Sequence, residues 1–202
     1  MVVLGLPRGG VPVAYEVATA LGVPLDVVVV RKLTVPDRPW LVFGALGEDG
    51  VRVIDDEMVA RALVSELERL AVAREQQQQL RRSVAQYHRD HARVSLDCAT
   101  AVIIDDGLAT GATAHAACVI ARARGADRVV LAVPVGAYRP LRALTRVADH
   151  IICLESRELF GSIRPWYRDF ATVTDREVCA LLDQAAENLP VPSPVTAASV
   201  LT

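Results

Sequence analysis

Apolar segments of strand length alternate with segments of helical spacing along most of this 202-residue chain, and this alternation constrains its fold more than any other feature. Strands are predicted at residues 2–6, 25–30, 101–104, 129–135 and 150–154, and helices at 11–21, at 138–147 and from the loop after residue 104 to about Arg124. Strand–helix–strand repetition favours right-handed crossovers and a parallel sheet. We therefore expect an α/β fold, an open parallel sheet of about five strands flanked by helices.

Residues 33–97 interrupt this alternation and are predicted to form an insertion. Residues 41–54 have the pattern of a hairpin that turns at Glu48-Asp49-Gly50, because an Asp-Gly pair favours hairpin turns. One long helix is predicted from residue 55 to about residue 90, with an apolar stripe at Val59, Leu63, Leu67 and Leu70. Its second half, with four consecutive glutamines at 76–79, lacks that stripe and is expected to be exposed.

Composition and charge exclude several classes of protein. A hydrophobic content of 52% is typical of a chain with a buried core, and a net charge of -2 argues against nucleic-acid binding. No apolar run approaches the roughly 20 residues of a membrane span. The first residues lack a signal-peptide pattern, so a cytoplasmic location is expected. Residues 1–185 are predicted to form one domain, and the Pro/Ser/Thr/Ala-rich residues 190–202 a disordered tail.

The loop at residues 102–113 combines a buried strand, two acids, two spaced glycines and a helix start. Asp105 and Asp106 would end the strand as acceptor-only groups, which suit the hydroxyls of a ribose. The glycines permit close backbone approach, and N–H groups at a helix N-terminus bind anions. The loop has neither the Gly-Lys-Ser/Thr ending of a Walker A sequence nor the glycine spacing of a dinucleotide fingerprint. It therefore predicts a site for a phosphorylated ribose.

This loop closely resembles the phosphoribosyl-diphosphate motif of the type I phosphoribosyltransferases. In that family the paired acids hold the ribose 2′- and 3′-hydroxyls, and a Thr-Gly-x-Thr portion wraps the 5′-phosphate. The resemblance implies the first role for Asp105 and Asp106 and the second for residues 109–113. It covers most of residues 1–185, with a Leu-Pro-Arg-Gly-Gly opening and a Trp-Tyr-x-x-Phe ending similar to those of several bacterial proteins with this domain. Signatures for a purine or orotate acceptor are not evident.

Two further loops would complete the site. In an open α/β sheet, ligands bind at the carboxyl ends of the strands, so residues 7–10 should face the two aspartates if the first and third strands are neighbours. In the family a short loop in this place contacts the diphosphate, a role that suits Arg8, although Pro-Arg-Gly-Gly alone is equally typical of a tight turn. Arg31 and Lys32 are expected to end the second strand, as diphosphate ligands or as a solvated basic pair.

The segment with Trp166 and Tyr167 is predicted to form a small hood at residues 155–185. In the family such a hood recognises the acceptor, so the aromatic rings could stack on a planar base, or they could anchor the C-terminal segment on the core. The predicted catalytic residues are Asp105, Asp106, Arg8 and Lys32. The predicted substrate-binding residues are Pro7, Arg8, Gly9, Gly10, Arg31, Lys32, Asp105, Asp106, Gly107, Leu108, Ala109, Thr110, Gly111, Ala112, Thr113, Trp166 and Tyr167.

The resemblance implies Mg²⁺-dependent transfer of a phosphoribosyl group from phosphoribosyl diphosphate to a nitrogen acceptor. The Mg²⁺ would be held by substrate and water, with Asp105 or Asp106 as its protein ligand if it has one. Fold does not determine function, so a non-catalytic sensor of the sugar or a nucleotide, and a hydrolase of a phosphorylated nucleoside, are the alternatives. The predicted hairpin and long helix could form a homodimer contact or pack as a lid on their own domain.

Overall fold

The computed structural model describes residues 1–89 and 92–188, so the predicted tail at 190–202 lies outside the described residues. In chain order the elements are β1 (Val2–Gly5), α1 (Gly10–Leu21), β2 (Leu25–Val27), β3 (Val30–Val35), β4 (Arg38–Gly47), β5 (Arg52–Ile54), α2 (Asp56–Ala62), α3 (Glu66–Tyr87), β6 (Thr100–Ile104), α4 (Ala112–Ala123), β7 (Arg128–Ala137), α5 (Tyr138–Leu144), β8 (His150–Arg157) and α6 (Asp175–Asn188). Single turns of 3-10 helix lie at Glu48–Gly50 and Arg164–Trp166.

Five strands form a parallel sheet in the order β2-β1-β6-β7-β8, which confirms the predicted architecture. Successive side chains of the central strands point to opposite faces, and both faces are buried, so Val3 and Leu4 are each fully covered. Helices α4 and α5 pack on the Leu4 face, and α1, α3 and α6 pack on the Val3 face. In open α/β sheets ligands bind at the carboxyl ends of the strands, so the loops after β1 and β6 mark the expected site.

The predicted strand at residues 25–30 was wrong in one respect, because it is divided between two sheets. β2 ends at Val27, and β3 begins at Val30 in a separate antiparallel sheet of order β3-β4-β5. Between them the Val29 N–H donates to Glu48 Oε1 at 2.9 Å. A buried carboxylate thus accepts the hydrogen bond that the carbonyl of a neighbouring strand would otherwise accept. Glu48 is held in turn by Arg93 at 2.5 Å.

The predicted hairpin is confirmed, with its turn at Glu48–Gly50, although β4 begins at Arg38 and also pairs with β3. β3, the strand that pairs with this hairpin, contains the two basic residues. Arg31 and Lys32 lie within β3 of the second sheet, so the expectation that they end a strand of the main sheet was wrong.

The predicted single helix at residues 55–90 was also wrong, because α2 and α3 are separated by a break. Leu63 adopts a left-handed backbone (φ 56°), and Ser65 caps α3 through reciprocal bonds with Glu68. Such a capping box ends one helical path and starts another. Leu63 and Leu67, placed in the predicted stripe, are 87% and 80% exposed.

The buried face of α3 lies instead at Ala73, Leu80 and Tyr87, which are spaced by seven residues. Residues at this spacing share one helix face. The second half of α3 therefore packs on the core, contrary to the expectation that it would be exposed. No helix among the described residues has the length and hydropathy required to span a bilayer.

Candidate active site at the carboxyl edge of the sheet

The loop after β1 lies directly against the two aspartates, as predicted. The Leu6 N–H donates to the Ile104 carbonyl at 2.8 Å, which joins the ends of β1 and β6. A Cβ atom on Gly9 would lie 2.0 Å from Asp106 Oδ2, and one on Gly10 would lie 2.6 Å from the Ile104 carbonyl oxygen. Gly10 requires glycine because a side chain would meet the backbone of the neighbouring loop, whereas a Cβ atom at Gly9 would displace the Asp106 carboxylate. The peptide bond between Pro7 and Arg8, in the same loop, is cis.

Asp105 and Asp106 share a half-buried environment in which one proton is held more tightly than usual. The Asp106 N–H donates to Asp105 Oδ1 at 3.0 Å. Burial, and then the neighbouring Asp106 charge, raise the pKa of Asp105 to about 8, while Lys32 acts in the opposite direction. Burial also raises the pKa of Asp106. Two adjacent carboxylates that cannot both ionise freely are suited to a ligand that brings hydroxyl donors or a cation.

The loop at residues 107–111 lies between the aspartate pair and the start of α4. Leu108 anchors it to β7, since its N–H donates to Val135 and its carbonyl accepts from Ala137. Gly111 has a left-handed backbone (φ 77°) that turns the chain into α4 at Ala112. Ala109 and Thr110 are exposed. The first N–H groups of α4 have no acceptor within the helix, which is the arrangement that the predicted anion site requires; anion binding here stays a prediction.

A basic cavity of about 430 Å³ has Arg8 in its lining. It is lined by Pro7, Arg8, Arg31, Thr113 and by three residues that the sequence did not indicate, Ser83, Tyr87 and Asp175. Arg31 Nη2 donates to Ser83 Oγ at 2.5 Å, and the Tyr87 hydroxyl donates to Asp175 Oδ1 at 2.6 Å. Burial, reinforced by the bond to Asp175, raises the pKa of Tyr87.

The position of Arg31 shows how the inserted helix contributes to this cavity. α3 supplies Ser83 and Tyr87, one helical turn apart on the face that meets β3, and α6 supplies Asp175. Lys32 does not line the cavity, but its charge reaches Asp105. The structure therefore brings Arg31 into the lining of the cavity from the second sheet, while Lys32 on the same strand is exposed.

An aromatic cavity of about 420 Å³ also has Arg8 in its lining. Its wall includes Asp106, Tyr167, Asp169 and Phe170. The Tyr167 hydroxyl donates to the Asp106 carbonyl at 2.6 Å, and its ring lies 5.2 Å from that of Phe170. Burial raises the pKa of Tyr167 to about 12, so the hydroxyl remains a donor at neutral pH.

Trp166 lies outside this cavity, so the structure brings only Tyr167 of the predicted pair to the site. The Trp166 ring stacks on Phe160 at 6.0 Å and lies under the guanidinium of Arg157. Both partners lie at or just after the end of β8 and the ring is 39% exposed, so anchoring of the C-terminal segment on the core stays a prediction for Trp166. Asp169 and Phe170, in the same aromatic segment, were not singled out.

The donor set at the site suits a hard cation held mainly through a ligand. Among residues 1–89 and 92–188, no group of three or more His, Cys, Asp or Glu side chains is arranged to hold a metal ion. Asp105 and Asp106 supply carboxylate oxygens, the donors that Mg²⁺ prefers, and they are two neighbouring groups only. Phosphate oxygens of a bound substrate would have to complete such a site.

Comparison with known proteins agrees with this geometry. A family model described as "Phosphoribosyl transferase domain" matches residues 1–161. Two proteins from strains of Mycobacterium tuberculosis, each named "Putative phosphoribosyl transferase", are 49% identical over 199 residues. The match covers 98% of this chain but 45% of each relative, so the chain spans about half of their length. A crystal structure of a Thermus thermophilus protein superposes with a TM-score of 0.80 at 38% identity, covering 91% of this chain and 86% of that one.

Proposed function

Because the chain belongs to the phosphoribosyl transferase family, of type I fold, we propose that it transfers a 5-phosphoribosyl group from phosphoribosyl diphosphate to a nitrogen acceptor and releases diphosphate. One observation carries this proposal. A basic cavity and an aromatic cavity both have Arg8 in their lining, and Asp106 lines the aromatic one. A site that must hold a leaving polyanion and a planar base around one sugar needs two such adjoining cavities.

Each part of the site has a task in this reaction. Asp105 and Asp106 accept bonds from the ribose hydroxyls, and the N–H groups at residues 109–113 hold the 5′-phosphate. Arg8 and Arg31 bind the diphosphate, and Ser83 fixes the guanidinium of Arg31. Lys32 adds positive charge near the sugar.

The chemistry requires little covalent participation by the protein. The bond from ribose C1 to the diphosphate oxygen breaks while the acceptor nitrogen bonds to C1, and the acceptor loses its proton. Positive charge develops on the ribose ring and negative charge on the leaving group. Carboxylates on one side and guanidinium groups on the other stabilise this separation, and holding the reactants in place lowers the barrier further.

Mg²⁺ is part of the proposal. When bound, it would neutralise diphosphate charge while contacting Asp105 or Asp106 directly or through water. The proton shared by the two aspartates would leave as the ligand binds, because a nearby positive charge favours the ionised carboxylate.

The proposal places the acceptor between Tyr167, Phe170 and the loop at Gly9. The bond from Tyr167 to Asp106 couples the aromatic wall to the sugar-binding loop. Stacking on these rings suits a planar heterocycle. A homodimer contact through the hairpin and the helices that follow it stays a prediction.

A diphosphate-release assay tests the reaction. The protein is incubated with phosphoribosyl diphosphate, Mg²⁺ and a panel of nitrogen bases. Release that depends on one of the bases is the expected result. Release without any base would instead indicate a hydrolase, and tight sugar binding with no release would indicate a sensor; each result contradicts transfer.

A double variant tests the aspartate pair. Asp105→Asn with Asp106→Asn should weaken binding of phosphoribosyl diphosphate by about 100-fold, from two lost charge-assisted hydrogen-bond acceptors. Glu16→Gln with Glu57→Gln changes the net charge equally at exposed positions and should leave binding unaltered. Equal affinity in the two double variants would remove the basis of the proposal.

A further inference from the structure

A third groove, of about 350 Å³, lies away from the two cavities, between α3 and β5. Three arginines line it, Arg74 and Arg81 from α3 and Arg52 from β5. Gln77 and Gln78 lie between the α3 arginines, and Leu70 lies at one end. None of these residues lines either of the two cavities around Arg8.

The charges in this groove are uncompensated. Its described lining contains three guanidinium groups and no carboxylate. Arg52, Arg74 and Arg81 form no hydrogen bond or ion pair with any residue that the structure describes. Other arginines of the chain do find partners, as Arg93 does with Glu48 and Asp49 and Arg122 does with Asp149. Like charges in a concave site raise the local positive potential, and an anion relieves their mutual repulsion.

The spacing of the α3 residues indicates an elongated ligand. Leu70, Arg74, Gln77 and Arg81 are three or four residues apart, so they share one helix face. Arg74 and Arg81 are separated by seven residues, or roughly 10 Å along the helix axis. One phosphate group engages a single guanidinium fork best, whereas linked phosphates can lie along the helix and engage both. The glutamine amides between the arginines add hydrogen-bond donors.

We propose that the groove of Arg52, Arg74 and Arg81 is a second binding site, which takes a linear polyphosphate. The chain could be inorganic or carried by a nucleoside, whose apolar face would meet the half-exposed side chain of Leu70. This site does not depend on the reaction proposed for the aspartate loop, since it shares no residue with it.

The test must separate this groove from the basic cavity, which also attracts polyphosphate. Inorganic triphosphate is titrated into the variant Arg8→Ala with Arg31→Ala, by calorimetry at about 150 mM salt to screen non-specific attraction. Adding Arg74→Ala with Arg81→Ala should weaken the remaining binding by about 10-fold or more. Adding Arg139→Ala with Arg146→Ala, two exposed arginines elsewhere, should change it by less than about 2-fold.

Three results would overturn the proposal. The first is that the variant Arg8→Ala with Arg31→Ala does not bind triphosphate at all. The second is that adding Arg139→Ala with Arg146→Ala weakens triphosphate binding as much as adding Arg74→Ala with Arg81→Ala does. The third is that the protein binds an oligonucleotide saturably but does not bind triphosphate. Hydrogen exchange of the unaltered chain provides a measurement that needs no folded variant. Triphosphate should protect amides of α3 around Gln77, and unchanged exchange there at saturation would also overturn it.

Comparing ATP with inorganic triphosphate distinguishes the two sources of the ligand. Equal affinities would show that the phosphate chain alone is recognised. Tighter binding of ATP that Leu70→Ser reduces to the level of inorganic triphosphate would assign the site to a nucleoside polyphosphate.

Discussion

Gly9→Ala separates the role of the loop after β1 in ligand binding from its role in folding. The Gly9 backbone (φ -62°, ψ -31°) is helical, a conformation that alanine adopts freely. The added Cβ atom would nevertheless lie 2.0 Å from Asp106 Oδ2 and 2.8 Å from its Cγ. The carboxylate must therefore move by about 1 Å to reach even the 3.0 Å below which Cβ contacts are essentially never seen.

The magnitude follows from that displacement. Carboxylate–hydroxyl bonds depend on distance, and losing one charge-assisted bond costs about 1.5–3 kcal/mol. Binding of phosphoribosyl diphosphate should thus fall by about 10- to 100-fold. The rate of transfer should fall by a similar or larger factor, since a 1 Å misplacement at a reaction centre can cost about 100-fold. The clash is with side-chain atoms and not with backbone, so the melting temperature should change little.

Calorimetric titration with phosphoribosyl diphosphate and Mg²⁺ measures the first effect, and a thermal melt measures the second. Gly161→Ala is the matched control, because a Cβ atom there meets nothing within 4 Å. Unaltered sugar affinity in Gly9→Ala would refute the placement of the sugar against Asp106. A large fall in melting temperature would show that the loop is needed for folding instead.

The remaining predictions concern the cavities and the aspartate pair. Tyr87→Phe removes the bond to Asp175 and should destabilise the fold by about 1–2 kcal/mol, a fall of about 4 °C in melting temperature, whereas Tyr138→Phe, at an exposed ring, should not. Asp169 is one of two aspartates in the aromatic cavity, so acceptors that carry a carboxylate should react more slowly than uncharged counterparts, by about 10-fold or more. Nicotinate can be compared with nicotinamide, and orotate with uracil. Asp169→Asn should reduce this difference in rate, and equal rates in the parent protein would contradict the prediction. Because the pKa of Asp105 is raised to about 8, the folded protein keeps a proton that the unfolded chain loses near pH 4. Without ligand, the free energy of unfolding should therefore fall from about pH 5 to pH 8 and then level off. Asp105→Asn should flatten that slope in denaturant titrations, and an unchanged slope would assign the effect to another group.

The main sheet and the loop after β6 were predictable because their signals are local. Apolar segments such as 101–104 are strands wherever they are buried on both faces. The consecutive Asp105 and Asp106, followed by Gly107 and Gly111, determine a strand-to-helix turn with acceptors at one end and N–H donors at the other. Both features depend on neighbours within a few residues in the chain.

Other features had local signals that were outweighed by longer patterns. The apolar spacing of Val59, Leu63 and Leu67 suggested one helix, although Ser65 and Glu68 form a capping box that is visible in the sequence. The β-branched residues at 25–30 suggested one strand, and the split there depends on Glu48, nineteen residues away. A partner so distant leaves no local mark in the pattern.

By itself the sequence determined that this chain has a parallel α/β sheet and, at the end of one of its strands, a strand-to-helix turn with two adjacent carboxylates. Only the tertiary structure decided what surrounds that turn: Arg31 enters from a second sheet, Ser83 and Tyr87 from an inserted helix, and Tyr167 but not Trp166 from the hood. The physical reason is that the cavities are built from side chains far apart in the chain, as in the bond from Tyr87 to Asp175, which spans 88 residues. Packing of whole elements sets such distances, and no short stretch of sequence encodes them.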